Sequence, residues 1–165
     1  MAGLINSLIE TVKGQTVLFK EVTALLVQKK EYVIQNDIEN LRAVVKLEND
    51  IVPKILKGDK TREQLMADIA TVLNKRPDEL TFTMLKQLIS SQPEHPAFVA
   101  AVDEFVVALD EMKAANDNAK TFISDALDYI DFNMNVIHSS FEAVPAGYGD
   151  LDDSLETGSF IDSRS

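Results

Sequence analysis

Apolar residues recur along this chain in alternating steps of three and four, not in the alternation of a strand. From Ile5 the series runs Leu8, Val12, Gln15, Phe19, Val22, Leu26, Lys29 and Val33. That is a helical period with a coiled-coil-like seam, and it predicts a helix over residues 4–35. Gly14 is its soft spot, costing about 1 kcal/mol relative to Ala. Asn36-Asp37 breaks the phase, and Asp37 is a good N-cap because its carboxylate can accept free backbone N–H groups. A second series follows: Ile38, Leu41, Val45, Glu48, Val52, Ile55, Asp59, Arg62, Met66, Ile69 and Leu73. It predicts a helix from 38 to 74, kinked at Pro53 and weakened at Gly58. Thr61-x-x-Gln64 has the spacing of a capping box that would restart it. Asn74, before Lys75-Arg76-Pro77, suits a left-handed stop.

Residues 82–91 carry Phe82, Leu85, Leu88 and Ile89, enough for one short helix, and Gln92-Pro93-Glu94-His95-Pro96 is a turn. The third long series is Phe98, Val102, Phe105, Leu109, Met112, Asn116, Ala119, Ile123, Ala126, Ile130, Asn133 and Ile137, predicting a helix over 96–141. From Val144 the period is lost. The expected fold is all-α: an antiparallel bundle or coiled coil of three long helices plus one short helix. The bundle domain is 1–143, and residues 144–165 are a flexible acidic tail. At about 1.5 Å per residue the long helices span roughly 48, 56 and 69 Å, so part of the last should project beyond its neighbours.

Composition agrees with long elements. Gly and Pro are few, at 6 and 5 residues, which argues against a turn-rich sandwich or barrel. With no Cys there is no disulfide framework, thiolate site or cysteine nucleophile. The start of the chain lacks a basic stretch and a long apolar run, so no signal peptide is expected, and no run approaches a membrane span. The cytoplasm is the expected location. Net charge is −11, which disfavours nucleic acid as a partner. That charge is uneven. Residues 1–95 hold 13 acidic and 13 basic side chains, residues 96–141 hold 8 and 2, and residues 142–165 hold 6 and 1. The tail, with Leu151, Leu155 and Phe160-Ile161, could fold back on the last helix, against the repulsion of two acidic segments.

Reaction chemistry is not legible. Neither His95 nor His138 has an acidic residue three positions before it, so the Glu-x-x-His pairs of a di-iron bundle are absent. Asp125, Asp128 and Asp131 lie on one helix face, which suits a solvated acidic face better than a calcium loop. There is no phosphate-binding glycine loop and no nucleophile elbow. No cofactor, metal or catalytic residue is expected. Lys54, Lys57, Lys60 and Arg62 form the densest basic cluster, either a dock for an acidic partner or a solvated face. Asn116, Asn118, Asn133 and Asn135 punctuate the last helix, as buried register residues or as ordinary exposed ones.

Several stretches resemble one family. They are Gln35-Asn36-Asp37-Ile38-Glu39-Asn40-Leu41, Lys60-Thr61-Arg62-Glu63, Glu79-Leu80-Thr81-Phe82-Thr83-Met84-Leu85, and Ser124 to Asn135 within the last helix. Together, over about residues 5–141, they look like the FlgN family of flagellar export chaperones. The resemblance implies a cytoplasmic protein that binds hook-associated subunits through their C-terminal helical segments before type III export. It further implies delivery to the export gate and a client site in the last helix. The residues themselves agree. Phe122, Ile123, Leu127, Ile130, Met134, Ile137 and Phe141 form an apolar stripe at three-four steps where the helix should outrun the bundle. A groove-filling helix partner would use such a stripe, and Met134 adds adaptability. Two other classes stay open at this point: a coiled-coil adaptor that assembles with itself, and a helical-bundle metalloenzyme, for which ligands are lacking. The oligomeric state is not set by the sequence.

Overall fold

A computed structural model describes the backbone of residues 1–133 and the side chains of residues 1–126. The expected tail, 144–165, lies outside the described residues. Four α-helices are present, with no strand among the described residues: α1 (Ala2–Ile34), α2 (Ile38–Val72), α3 (Phe82–Leu88) and α4 (His95–Asn133). A single 3-10 turn, Pro77–Glu79, separates α2 from α3.

The punctuation follows local chemistry. α1 and α2 end alike, with an asparagine in the left-handed region just past the helix: Asn36 at φ 56° and Asn74 at φ 55°. In each case the next residue reaches back five positions. Asp37 N–H donates to the Tyr32 carbonyl at 2.9 Å and Lys75 N–H to the Ala70 carbonyl at 2.8 Å. These are Schellman closures, which satisfy carbonyls that the helix leaves open. Asp37 then caps α2 as expected, accepting from Asn40 N–H at 3.2 Å. The single helix expected over 38–74 is found, and the capping-box spacing at Thr61 does not restart it. α2 runs unbroken through Pro53 and Gly58, and the Thr61 hydroxyl donates back to the Lys57 carbonyl inside the helix. α3 is shorter than the 82–91 expected, and Thr81 caps it by accepting from Met84 N–H.

α1 is the shared helix. α2 packs antiparallel along one side of it and α4 parallel along another, while the backbones of α2 and α4 do not meet. The direction of α4 follows from topology: α2 returns the chain to the start of α1, and α3 turns it back. The core draws on all four helices, including Leu8, Phe19, Ile55, Leu85, Phe98 and Met112. Phe82 of α3 sets its ring edge-on to Phe98 and Phe105 of α4, both with centroids at 6.0 Å. Phe105 in turn meets Phe19 at 5.2 Å. Such pairs add about 0.5–1.5 kcal/mol beyond the area they bury.

Five polar residues of the two seams are wholly buried, and they pair across α1 and α2. Gln15 Nε2 donates to Asp59 Oδ1 at 2.8 Å, and its Oε1 accepts from Arg62 Nη1. Arg62 Nη2 also lies 3.1 Å from Asp59 Oδ1, and its guanidinium stacks over the Phe105 ring at 5.0 Å. Arg62 therefore belongs to the core and not to the surface basic cluster. Nearer the α1–α2 turn, Lys29 Nζ meets Glu48 Oε2 at 2.7 Å, both side chains at 0% exposure. Burial pushes the Glu48 carboxyl above its usual range and the Lys29 ammonium below its own, and their mutual attraction only partly opposes this. The second oxygen, Glu48 Oε1, is buried without a hydrogen bond. The pair thus specifies which residues face each other more than it stabilises the fold.

Replacing Lys29 alone with Met leaves a buried carboxylate and should cost about 3–5 kcal/mol, whereas Lys29→Met with Glu48→Leu should be neutral or stabilising. Urea denaturation of both variants decides this. A second expectation concerns pH. Burial raises the Asp59 carboxyl above its usual range, against the opposing contacts from Gln15 and Arg62. The folded state then holds this proton more tightly than the unfolded chain. Asp59 therefore contributes most stability below about pH 4, and loses it as pH rises through the raised value. The stability of the wild type minus that of Asp59→Asn should fall between acid and neutral pH. A difference that grows with pH would show that the Arg62 pair outweighs desolvation.

Candidate functional site

Near its own end α1 packs against α4 at Asn118, and the register of the two helices defines the site. Lys30 Nζ donates to Asn118 Oδ1 at 3.5 Å across an offset of 88 positions. In that parallel register the last residue of α1, Ile34, is level with Phe122. α4 continues to Asn133, so roughly eleven residues, or about 16 Å, extend past the end of α1. The overrun expected from helix lengths is therefore present within the described backbone.

The residues of the expected stripe fall into four groups. Phe122 is half-buried, with Lys30 Nζ 5.3 Å above the centre of its ring. This is a cation–π contact worth about 0.5–1 kcal/mol at a partly exposed position. Ile123 is buried, at 4% exposure, and so serves the packed end of the bundle instead of an open face. Leu127 and Ile130 lie on the described backbone of α4, in the part beyond α1. Met134, Ile137 and Phe141 lie outside the described residues, as do the tail and its expected contact with this helix.

Beside Phe122 the structure adds a component from α1. Val27 and Ile34 are large apolar side chains left 53% and 64% exposed. They stand seven apart with Lys30 between them, so they share a face of the helix. A groove of about 330 Å³ runs along it, lined by Leu26, Val27, Lys30, Ala114, Ala115, Asn118 and Ala119. The three alanines of α4 keep it shallow. A second hollow, on α4 itself, is lined by Asp117, Asn118, Thr121, Phe122 and Asp125. The heptad seam from Ile5 takes in Leu26, Lys29 and Val33 and passes over Val27, Lys30 and Ile34. Their signal in the sequence is a second apolar row, one position out of phase with the first.

This arrangement offers an apolar strip edged by carboxylates, with one lysine at its centre. It suits an amphipathic helix that carries basic side chains along one edge. Among the described residues there is no group of three or more His, Cys, Asp or Glu placed to hold a metal ion. No helix among them is long and apolar enough to cross a membrane.

The fold defines an all-α protein of three long helices and one short one, with the last helix running past the end of the first. The model of the FlgN protein family matches residues 1–151, and the chain belongs to that family of flagellar type III export chaperones. No curated protein and no solved structure gives a significant match.

The burial difference between neighbours predicts different costs. Ile123→Ala should lower stability by about 2–4 kcal/mol, as for a buried aliphatic, and Phe122→Ala by less, about 1–2 kcal/mol, its ring being partly exposed beneath Lys30. Chemical denaturation of the two variants measures both. An equal loss would mean that Phe122 is as much a core residue as Ile123.

Proposed function

We propose that this protein is a cytoplasmic chaperone that binds hook-associated flagellar subunits through the end of α4 and prevents their assembly before export. The observation that carries the reading is the length of α4 beyond α1. A helix that outruns its bundle by about 16 Å has turns that α1 does not cover. The sequence of that region keeps its apolar period through Leu127, Ile130, Met134, Ile137 and Phe141. Membership of the FlgN family supplies the partner class. A C-terminal helix of the client would lie along this stripe and continue onto the α1 row of Val27 and Ile34. Delivery to the export gate would follow with the client held. In this role the protein is a binder and carries no reaction of its own.

The test is a double substitution, Ile130→Asp with Ile137→Asp, assayed against a purified hook-associated subunit by calorimetry. A buried, unpaired charge costs several kcal/mol, so affinity should fall by at least about 100-fold while the circular dichroism spectrum stays helical. Unchanged affinity in a folded variant rejects the site. If the wild type instead dimerises through this stripe and ignores the subunit, the self-assembling adaptor is the better description.

A further inference from the structure

The protein is strongly acidic, yet one band of its surface is not. Along α1, residues 11–20 contain Lys13 and Lys20 and no acidic residue. Along α2, residues 51–62 contain Lys54, Lys57, Lys60 and Arg62, with Asp59 as the single acid. Asp59 and Arg62 are both buried and engaged with each other and with Gln15. What remains at the surface of these two spans is five exposed lysines, with the carboxylates of Glu10 and Glu63 at the margin.

A groove of about 400 Å³ crosses this band, lined by Thr11, Gly14, Leu18, Lys54, Lys57 and Thr61 among others. Two glycines keep it open, for different reasons. At Gly58 an added Cβ would lie 2.9 Å from Cγ of Gln15, so the inward path of Gln15 requires glycine there. At Gly14 nothing lies within 4 Å of an added Cβ, and φ is not positive. Neither packing nor backbone geometry asks for glycine at position 14, and helix propensity disfavours it. Its effect in the folded protein is to leave the Leu18 side of the groove uncovered.

We propose that this groove is the docking site of the chain's own acidic C-terminal segment, residues 150–165. The charges are complementary: residues 142–165 carry six acidic side chains and one basic one. Leu151 and Leu155 stand four apart, a spacing that lets a short helical turn place both on one face over Leu18 and Gly14. Reach is sufficient. Asn133 is about 16 Å beyond the end of α1, and the groove centre is about 30 Å back along it, an axial distance near 45 Å. The seventeen residues 134–150 can span at most about 56–61 Å when extended. Tethering makes the encounter intramolecular, so a few weak ion pairs hold it. The rival surface, the end of α4, is itself acidic and repels the segment. The two dockings have opposite salt dependence: screening weakens contact with the lysine band and favours contact with α4.

The absence of cysteine makes the test direct. The full-length chain with Ser7→Cys and Ser154→Cys, labelled with a donor and an acceptor dye, reports the distance from the groove to the segment. Transfer efficiency should be high at low ionic strength and fall at least about twofold near 0.5 M salt, where the Debye length is only a few ångströms. It should fall equally in Lys54→Glu with Lys57→Glu, both exposed positions. Gly14→Leu should lower transfer while leaving thermal stability unchanged or raised, since it fills the groove and removes a helix-weakening glycine. Transfer that ignores salt and charge reversal, or rises with salt, overturns the proposal. Transfer that appears only between separately labelled chains overturns it as well, by making the acceptor site a second molecule's.

Discussion

The contact on which the fold turns is the polar layer of Gln15, Asp59 and Arg62 beneath the ring of Phe105. Two long helices with apolar seams could pack in several registers, because one leucine faces another about as well after a slip of seven residues. A buried amide and a buried ion pair cannot slip. Moving α2 by one heptad would set Gln15 against Val52 or Met66 and leave Asp59 and Arg62 facing apolar side chains without partners. An unsatisfied buried charge costs several kcal/mol, more than the seam loses in any apolar mismatch. Lys29 and Glu48 repeat the constraint two turns from the α1–α2 loop, where a slip would oppose Lys29 to Leu41 or Ile55. Register is bought with desolvation, and the raised carboxyls of Asp59 and Glu48 are the physical mark of that exchange.

Arg62 extends this order to the third long helix. Its guanidinium covers Phe105, and Phe105 meets both Phe19 and Phe82, so one layer ties α1, α2, α3 and α4 together. The direct α1–α4 contacts then run upward from that layer with their offset already set. The height at which α1 stops against α4 follows from it. The overrun of α4, on which client binding would depend, is thus a consequence of a polar layer many residues away.

The two ends of the molecule differ in physical character. Around α3 the core is aromatic, with Phe82, Phe98 and Phe105 all buried. Toward the α1–α2 turn it thins to a small cluster of Leu41 and Val45 with Tyr32 and Val33, and the exposed Val27 and Ile34 lie nearby. The part of α4 proposed above to hold a client emerges from this thinner end, away from the layer that sets the register.

Much of this was legible in the residues alone. The 3-4 period placed three long helices and one short one, Asp37 marked a cap, and Asn74 a left-handed stop. Each of these depends on interactions within a turn or two of backbone, which the local sequence encodes. The same series flagged Gln15, Lys29, Glu48, Asp59 and Arg62 as interruptions but did not say what they were for. Their meaning is a pairing between helices, and pairing depends on which faces meet and at what height. For the same reason the sequence grouped Arg62 with the surface lysines, since charge is local information and burial is not. It read Gly58 as a weakness, when a Gln15 side chain 43 positions away occupies the space a Cβ would need. Helix positions were thus determined by the sequence through short-range hydrogen bonding and periodicity. The parallel course of α4, the partners of the buried charges and the open face beside Phe122 were decided only when distant segments packed.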